Sequence, residues 1–226
     1  MNNEKNIKKD EIFIYVGLRK TGSTFLHREI FPKIRNQGFN IISSDDFSGH
    51  LNTIIKVDDY CKYKTRENML TKLKKDYPNA NIIIGVREKN EWLKSMYNLY
   101  VKQGGFRDYN YWYNNLLNHD YLNFEKYLNE LKNNFSNVFV YDFNFIKKDM
   151  EGFISDLCNF IGCKIPDYNN KVHRKSWNER QVKLARFINK IIKSKYNPNA
   201  PIKRTDKINS SWILWKTGSN WWLGNK

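Results

Sequence analysis

The sequence is short of cysteine, histidine and acidic residues, and each shortage narrows what the chain can be. Its 226 residues include three cysteines and four histidines. Cys61, Cys158 and Cys163 form no C-x2-C pair, so a cysteine-based zinc site or dithiol redox centre is not expected. An odd count also argues against a secreted disulfide scaffold. The three read as reduced thiols in or near the core. No apolar run approaches the roughly 18 residues of a membrane span. Met1 to Asp10 is polar and charged and lacks the apolar stretch of a signal peptide, so a cytoplasmic protein is expected. Neither an internal repeat nor a clear linker interrupts the chain. One domain over 1–226 is expected, with a core at about 11–180 and a C-terminal helix and Trp-rich tail at about 181–226.

Acid is outnumbered: 39 Lys and Arg face 23 Asp and Glu, for a formal charge of +16. That balance favours an anionic partner such as nucleic acid, an anionic polymer, a membrane surface or a phosphorylated small molecule. A general Lys and Asn bias, visible in Leu131-Lys132-Asn133-Asn134, competes as an explanation. Apolar residues at 40% and aromatics at 15% are enough for a folded core.

Periodicity supplies the architecture. Glu11–Gly17, Phe39–Ile42, Asn81–Val86 and Val138–Tyr141 are short apolar runs that read as buried strands. Helical spacing marks Ser23–Arg35, where Pro32 is expected to kink or shorten the helix. It also marks Arg66–Tyr77, Glu88–Gln103, Met150–Ile161 and Glu179–Lys195. Aromatic-rich helices are expected between Gly105 and Phe135, and Ser43–Lys64 reads as irregular. Alternating strands and helices predict an α/β fold, a parallel β-sheet flanked by helices.

The first strand leads into Leu18-Arg19-Lys20-Thr21-Gly22 and then a helix that begins Ser23-Thr24-Phe25. A helix N-terminus after such a loop presents amide N–H groups and partial positive charge to an anion. Gly17 and Gly22 have the spacing of a nucleotide-triphosphatase loop, G-x4-G-K-[ST], but position 23 is Ser and the lysine sits at position 20. Lys20-Thr21-Gly22-Ser23-Thr24 instead resembles the 5′-phosphosulfate loop of the sulfotransferases. That resemblance implies a P-loop-like sulfotransferase fold. It also implies a nucleotide donor, 3′-phosphoadenosine-5′-phosphosulfate (PAPS), with the bisphosphate PAP as product. By the same resemblance Lys20 is catalytic, at the bridging oxygen and sulfuryl group. Gly22, Ser23 and Thr24 hold the 5′-phosphate, with Arg19 and Thr21 beside them, and Phe25 lies against the adenine.

A second match follows. Arg87 closes the third strand and Ser95 lies eight residues on, which resembles the family's R-x7-S clamp on the 3′-phosphate. The family often has proline two residues after the arginine, where this chain has Lys89. Tyr141-Asp142-Phe143 with Ile154–Gly162 resembles a later family strand and helix. His173-Arg174-Lys175-Ser176 falls where many members place a basic loop, which makes Arg174 and Lys175 candidates for the 3′-phosphate. No metal is required, because Lys20 and the helix terminus supply positive charge.

An attacking acceptor must lose a proton. Family members carry the base after the second strand, where this chain offers Asp45, Asp46 and His50. His50 and Asp46 rank nearly equal and Asp45 third; capping or turn roles compete for the aspartates, and an ordinary surface role for His50. The expected acceptor is a hydroxyl or amine, with a saccharide favoured by the aromatics and by family analogy. Alternatives are a nucleotide kinase or NTPase, and a nucleic-acid or anionic-polymer binder using Tyr109, Tyr111, Trp112 and Tyr113. Binding to a specific nucleic acid is not expected. The basic helix Glu179–Lys195 either packs on the domain or lies on an anionic membrane. The sequence leaves oligomeric state and the role of the Trp tail open.

Overall fold

Apolar β-formers alternate along the first strand, and the alternation sends its side chains into two cores. β1 (Ile12–Tyr15) directs Phe13 and Tyr15 to one face, while Ile14 goes to the other and is joined there by the following Val16. The computed structural model describes residues 10–56, 65–169, 176–206 and 208–216, with the backbone alone for Asp45, Trp212, Trp215 and Lys216. After β1 comes a helix, α1 (23–35), then β2 (Asn40–Ser43), α2 (Arg66–Asp76), β3 (Asn81–Val86), α3 (Lys89–Lys102), α4 (Phe124–Asn134) and β4 (Val138–Asp142). Two helices follow it directly, α5 (Phe143–Lys148) and α6 (Met150–Ile161). Further on lie α7 (Glu179–Asn189) and α8 (Ser210–Lys216).

The described residues fall into two compact units. The first holds 10–54, 65–89 and 119–169, and the second holds 55–56, 90–118, 176–206 and 208–216.

In the first unit the sheet order is β2-β1-β3-β4 and every pairing is parallel. The α/β reading therefore holds. Both faces are covered, as an all-parallel sheet requires. Phe13, Tyr15, Ile41 and Ile83 pack with Leu26, Ile30 and Ile34 of α1 and Phe153, Leu157 and Ile161 of α6. On the opposite face Ile14, Ile82 and Ile84 pack with Leu70 and Leu73 of α2 and Tyr127 and Leu131 of α4. Buried Asn81 fixes the β3 entry: it donates to Glu11 Oε2 at 2.7 Å and accepts from Asn137 at 2.9 Å.

Pro32 neither ends nor shortens α1. The helix widens into a π-turn over Leu26–Ile30 and continues as Phe31–Arg35, with Pro32 in the first turn after the widening. Proline has no N–H to give, and the wider turn accommodates the missing bond.

The second unit is helical and aromatic. Tyr97 and Tyr100 of α3 pack on Trp112, and Tyr100 also meets Tyr196 edge-on at 4.7 Å. The stretch after α3 is less regular than periodicity suggests: a π-turn covers Trp112–Leu116. α7 ends at Asn189, short of the expected Lys195. The buried Asn189 amide donates to the carbonyls of Val101 and Gly105, both at 2.8 Å. Val182 and Ala185 of α7 are buried and Phe187 is 67% exposed. No helix among the described residues is long and apolar enough to cross a membrane.

Candidate active site

The topology sets the place. From β1 the chain moves to β2 on one side and then crosses to β3 on the other. Open α/β sheets bind ligands at this reversal, at the carboxyl ends of the strands. Because the strands are parallel, the loops after β1, β2, β3 and β4 all emerge at that edge.

In the loop after β1, the backbone oxygens are held by the protein. Gly17 O accepts from Ser48 Oγ at 3.0 Å and Leu18 O from Thr21 Oγ1. Lys20 O accepts from Arg87 Nη1 at 3.1 Å, and Thr21 O from the Tyr141 hydroxyl at 3.1 Å. Gly22 O accepts from the amides of Phe25 and Leu26 at 3.0 and 3.3 Å. Tethering carbonyls in this way leaves N–H groups at the start of α1 for an anion. Among the described residues, the amides of Thr21, Gly22, Ser23 and Thr24 have no protein acceptor.

The loop backbone is strained at a telling position. Lys20 has φ 70°, and it is the one non-glycine with positive φ among the described residues. Side chains other than glycine pay for that conformation, at a cost of about 1 kcal/mol. Gly22 follows with φ 96°. A methyl group there would sit 3.3 Å from Phe143 and Ile146 of α5. Two other glycines serve by being small: a methyl on Gly17 would overlap the Tyr15 ring at 2.0 Å, and one on Gly85 the Tyr141 ring at 2.4 Å. Those two phenols meet at 3.1 Å. Tyr141 gives its proton to Thr21 O, so Tyr15 is the donor between them.

Arg87 reaches this loop from the end of β3. Besides its bond to Lys20 O, its guanidinium lies 4.8 Å from the Phe143 ring centroid. The Lys147 ammonium lies at 4.8 Å from the same ring. A ring face attracts cations and orients their planes. The site thus sets Arg87 and Lys147 on the Phe143 ring, beside Gly22 and the backbone of Lys20.

The segment after β2 forms a 3-10 turn, Asp45–Ser48, capped by the Ser44 side chain on the Asp46 amide at 3.1 Å. Capping therefore belongs to Ser44. The Asp46 carboxylate accepts from Arg19 Nη2 at 2.6 Å. Arg19, expected beside the donor, thus links the β1 loop to the β2 loop. His50 Nδ1 accepts from the Asn52 amide at 3.2 Å, which puts the proton of the neutral ring on Nε2. Phe25 is half-buried and meets Tyr168 edge-on at 6.1 Å.

Residues 9–207 match the sulfotransferase domain family. The chain belongs to the sulfotransferase family. No curated protein matches it. In this sulfotransferase the fold brings together Lys20, Thr21, Gly22, Ser23, Thr24, Arg87 and, through Arg19, Asp46. Ser95 is buried within α3, in the second unit. Cys61, His173, Arg174, Lys175, Trp221 and Trp222 lie outside the described residues.

Sequence reasoning missed Ser48, Lys147 and the buried Arg66. Ser48 and Lys147 look like any solvated polar residue in a basic chain. Arg66 is 4% exposed, and its pKa is lowered by burial. Only its place at the start of an amphipathic helix could have drawn attention to it.

Proposed function

We propose that this sulfotransferase uses PAPS as donor and transfers its sulfuryl group to a hydroxyl or amine of a carbohydrate. The observation that carries the reading is the bond from Arg87 to the carbonyl of Lys20, which joins the β3 end to the β1 loop at the sheet's reversal point. A nucleotide with phosphates at both its 5′ and 3′ positions needs cations from two places. Lys20 and the amides at the start of α1 suit the phosphosulfate end, and Arg87 suits the 3′-phosphate. Ser95 enters through the R-x7-S spacing alone, and Arg174 and Lys175 through the family likeness alone.

The acceptor oxygen attacks sulfur in line, and the bond from sulfur to the bridging oxygen breaks. The electron pair leaves on the 5′-phosphate of PAP. The Lys20 ammonium stabilises that oxygen more in the transition state than in the ground state. The acceptor proton goes to Asp46, whose carboxylate is oriented by Arg19. His50 is the weaker base candidate, because Nδ1 already accepts a backbone amide. For the acceptor, the preference for a saccharide rests on the aromatic content of the chain and on the family likeness alone. The buried cysteines Cys158 and Cys163 suit action in the reducing cytoplasm.

Calorimetric titration with PAP tests the donor, and a screen with labelled PAPS tests the acceptor. Micromolar PAP binding that is lost in Arg87→Ala is expected. Binding of magnesium-ATP without PAP binding would select the kinase or NTPase reading instead. Asp46→Asn is expected to lower turnover with PAP binding retained, and His50→Ala to keep most of the rate. The reverse pattern moves the base to His50.

A further inference from the structure

Arg66 is a charged side chain buried where no carboxylate pairs with it among the described residues. Its guanidinium lies between two phenol rings, 4.6 Å from the Tyr121 centroid and 4.4 Å from the Tyr127 centroid. Nη2 donates to Tyr121 O at 3.3 Å, and the Arg66 amide donates to the Tyr121 hydroxyl at 3.3 Å. Nε has no acceptor. A buried cation held in this way is a poor choice for stability alone, since desolvation opposes it and an apolar side chain of similar volume packs as well.

The two rings lead to one place. The Tyr127 hydroxyl donates to Phe47 O at 3.3 Å. Tyr121 donates to Thr53 Oγ1 at 2.8 Å, since the Thr53 hydroxyl gives its own proton to His50 O at 2.6 Å. The Tyr121 ring also lies against Gly49, which has φ 103°; a methyl there would come within 2.5 Å of the ring. Every one of these contacts falls on residues 47–53, the segment that continues from Asp46. On its other side the same segment is tied to the β1 loop, by Ser48 to Gly17 O and by Asp46 to Arg19.

We propose that Arg66 is a positioning residue for sulfuryl transfer: with Tyr121 and Tyr127 it locks the segment that carries Asp46 against the β1 loop. Arg66 touches neither donor nor acceptor. It acts through the two tyrosines, over whose ring faces its guanidinium lies. The inference rests on the assignment of Asp46 as the base in the reading above.

The test compares wild type, Arg66→Met, Arg66→Lys and Tyr127→Phe. Three quantities are read: kcat with labelled PAPS, the PAP dissociation constant, and amide hydrogen exchange over residues 46–53. Arg66→Met is expected to lower kcat about tenfold, with PAP affinity unchanged and exchange at 46–53 accelerated. Arg66→Lys keeps a cation between the rings and recovers part of kcat. Tyr127→Phe removes one hydroxyl and keeps the ring, so it remains informative if Arg66→Met fails to fold; about a threefold fall in kcat is expected. Wild-type kcat in a folded Arg66→Met, or wild-type kcat in Tyr127→Phe, overturns the proposal. Equal losses of kcat and PAP affinity also overturn it, because they indicate general unfolding. Faster exchange at 46–53 with unchanged kcat likewise overturns the positioning role in transfer, and shows that the tether does not act through Asp46 as the base. Absence of PAP binding in wild type instead overturns the donor assignment, and the exchange data then judge the lock by themselves.

Discussion

Both compact units use phenol hydroxyls to pin loops, and the difference lies in what the pinned loops carry. In the first, Tyr141 holds Thr21 O and Tyr127 holds Phe47 O, and those loops bear Lys20 and Asp46. In the second, Tyr97 donates to Arg107 O at 3.0 Å, and the Arg107 amide donates to the Tyr100 hydroxyl at 3.2 Å. Burial pushes Tyr97 up to about 12, so its phenol stays a neutral donor across the physiological range. That second loop closes an aromatic cluster and brings no catalytic candidate with it. A tyrosine pin is a structural device in both units, and in the first it holds the backbone beside the charged residues of the proposed site.

Substitutions can sharpen or break that contrast. The largest effect is expected from Lys20→Asn. Asparagine tolerates positive φ, so the loop should keep its shape and the melting temperature should hold. Transfer from labelled donor should fall about 100-fold, as when one contact to a developing charge is lost, roughly 3 kcal/mol. Retained activity would sink the role given to Lys20. Next comes Gly85→Ala, which forces the Tyr141 ring to move. Urea denaturation should show a loss of about 1–3 kcal/mol, and PAP affinity should weaken with it. Tyr141→Phe is expected to cost about 1–2 kcal/mol, because Thr21 O and the Tyr15 hydroxyl lose a buried partner. A severalfold weaker PAP affinity by calorimetry should accompany that loss. Tyr100→Phe in the second unit removes a comparable hydrogen bond and should cost about 1 kcal/mol with PAP affinity unchanged. If it weakens PAP as Tyr141→Phe does, the contrast between the units fails. The smallest effect is expected at Phe187, 67% exposed on α7. Phe187→Ser should change stability by less than about 0.5 kcal/mol, read from the same urea curves.

Much of the first unit was legible because its signals are local. Asn81–Val86 and Met150–Ile161 have the expected boundaries, since a buried strand and an amphipathic helix each write their period into the chain. The phosphate-loop residues were legible for a related reason: a strand, a short loop and a helix start are contiguous in sequence. Pro32 does not shorten its helix, because the π-turn at Leu26–Ile30, an option a one-residue rule ignores, lets the helix run on to Arg35. In the second unit, the aromatic-rich helices expected after Gly105 include a π-turn at Trp112–Leu116, where Trp112 packs on Tyr109. Arg19 and His50 were placed by the family likeness, and their partners, Asp46 and the Asn52 amide, are matters of three-dimensional contact.

The sequence by itself determined the α/β alternation, the strand and helix periods and the Lys20–Thr24 loop, because each depends on residues within a few positions of one another. Tertiary structure alone decided the strand order, the bond from Arg87 to Lys20 O across 67 residues, and the burial of Arg66 between Tyr121 and Tyr127. Side chains distant in the chain meet only where the packed sheet and its helices bring them within reach, and one-dimensional spacing does not encode that distance.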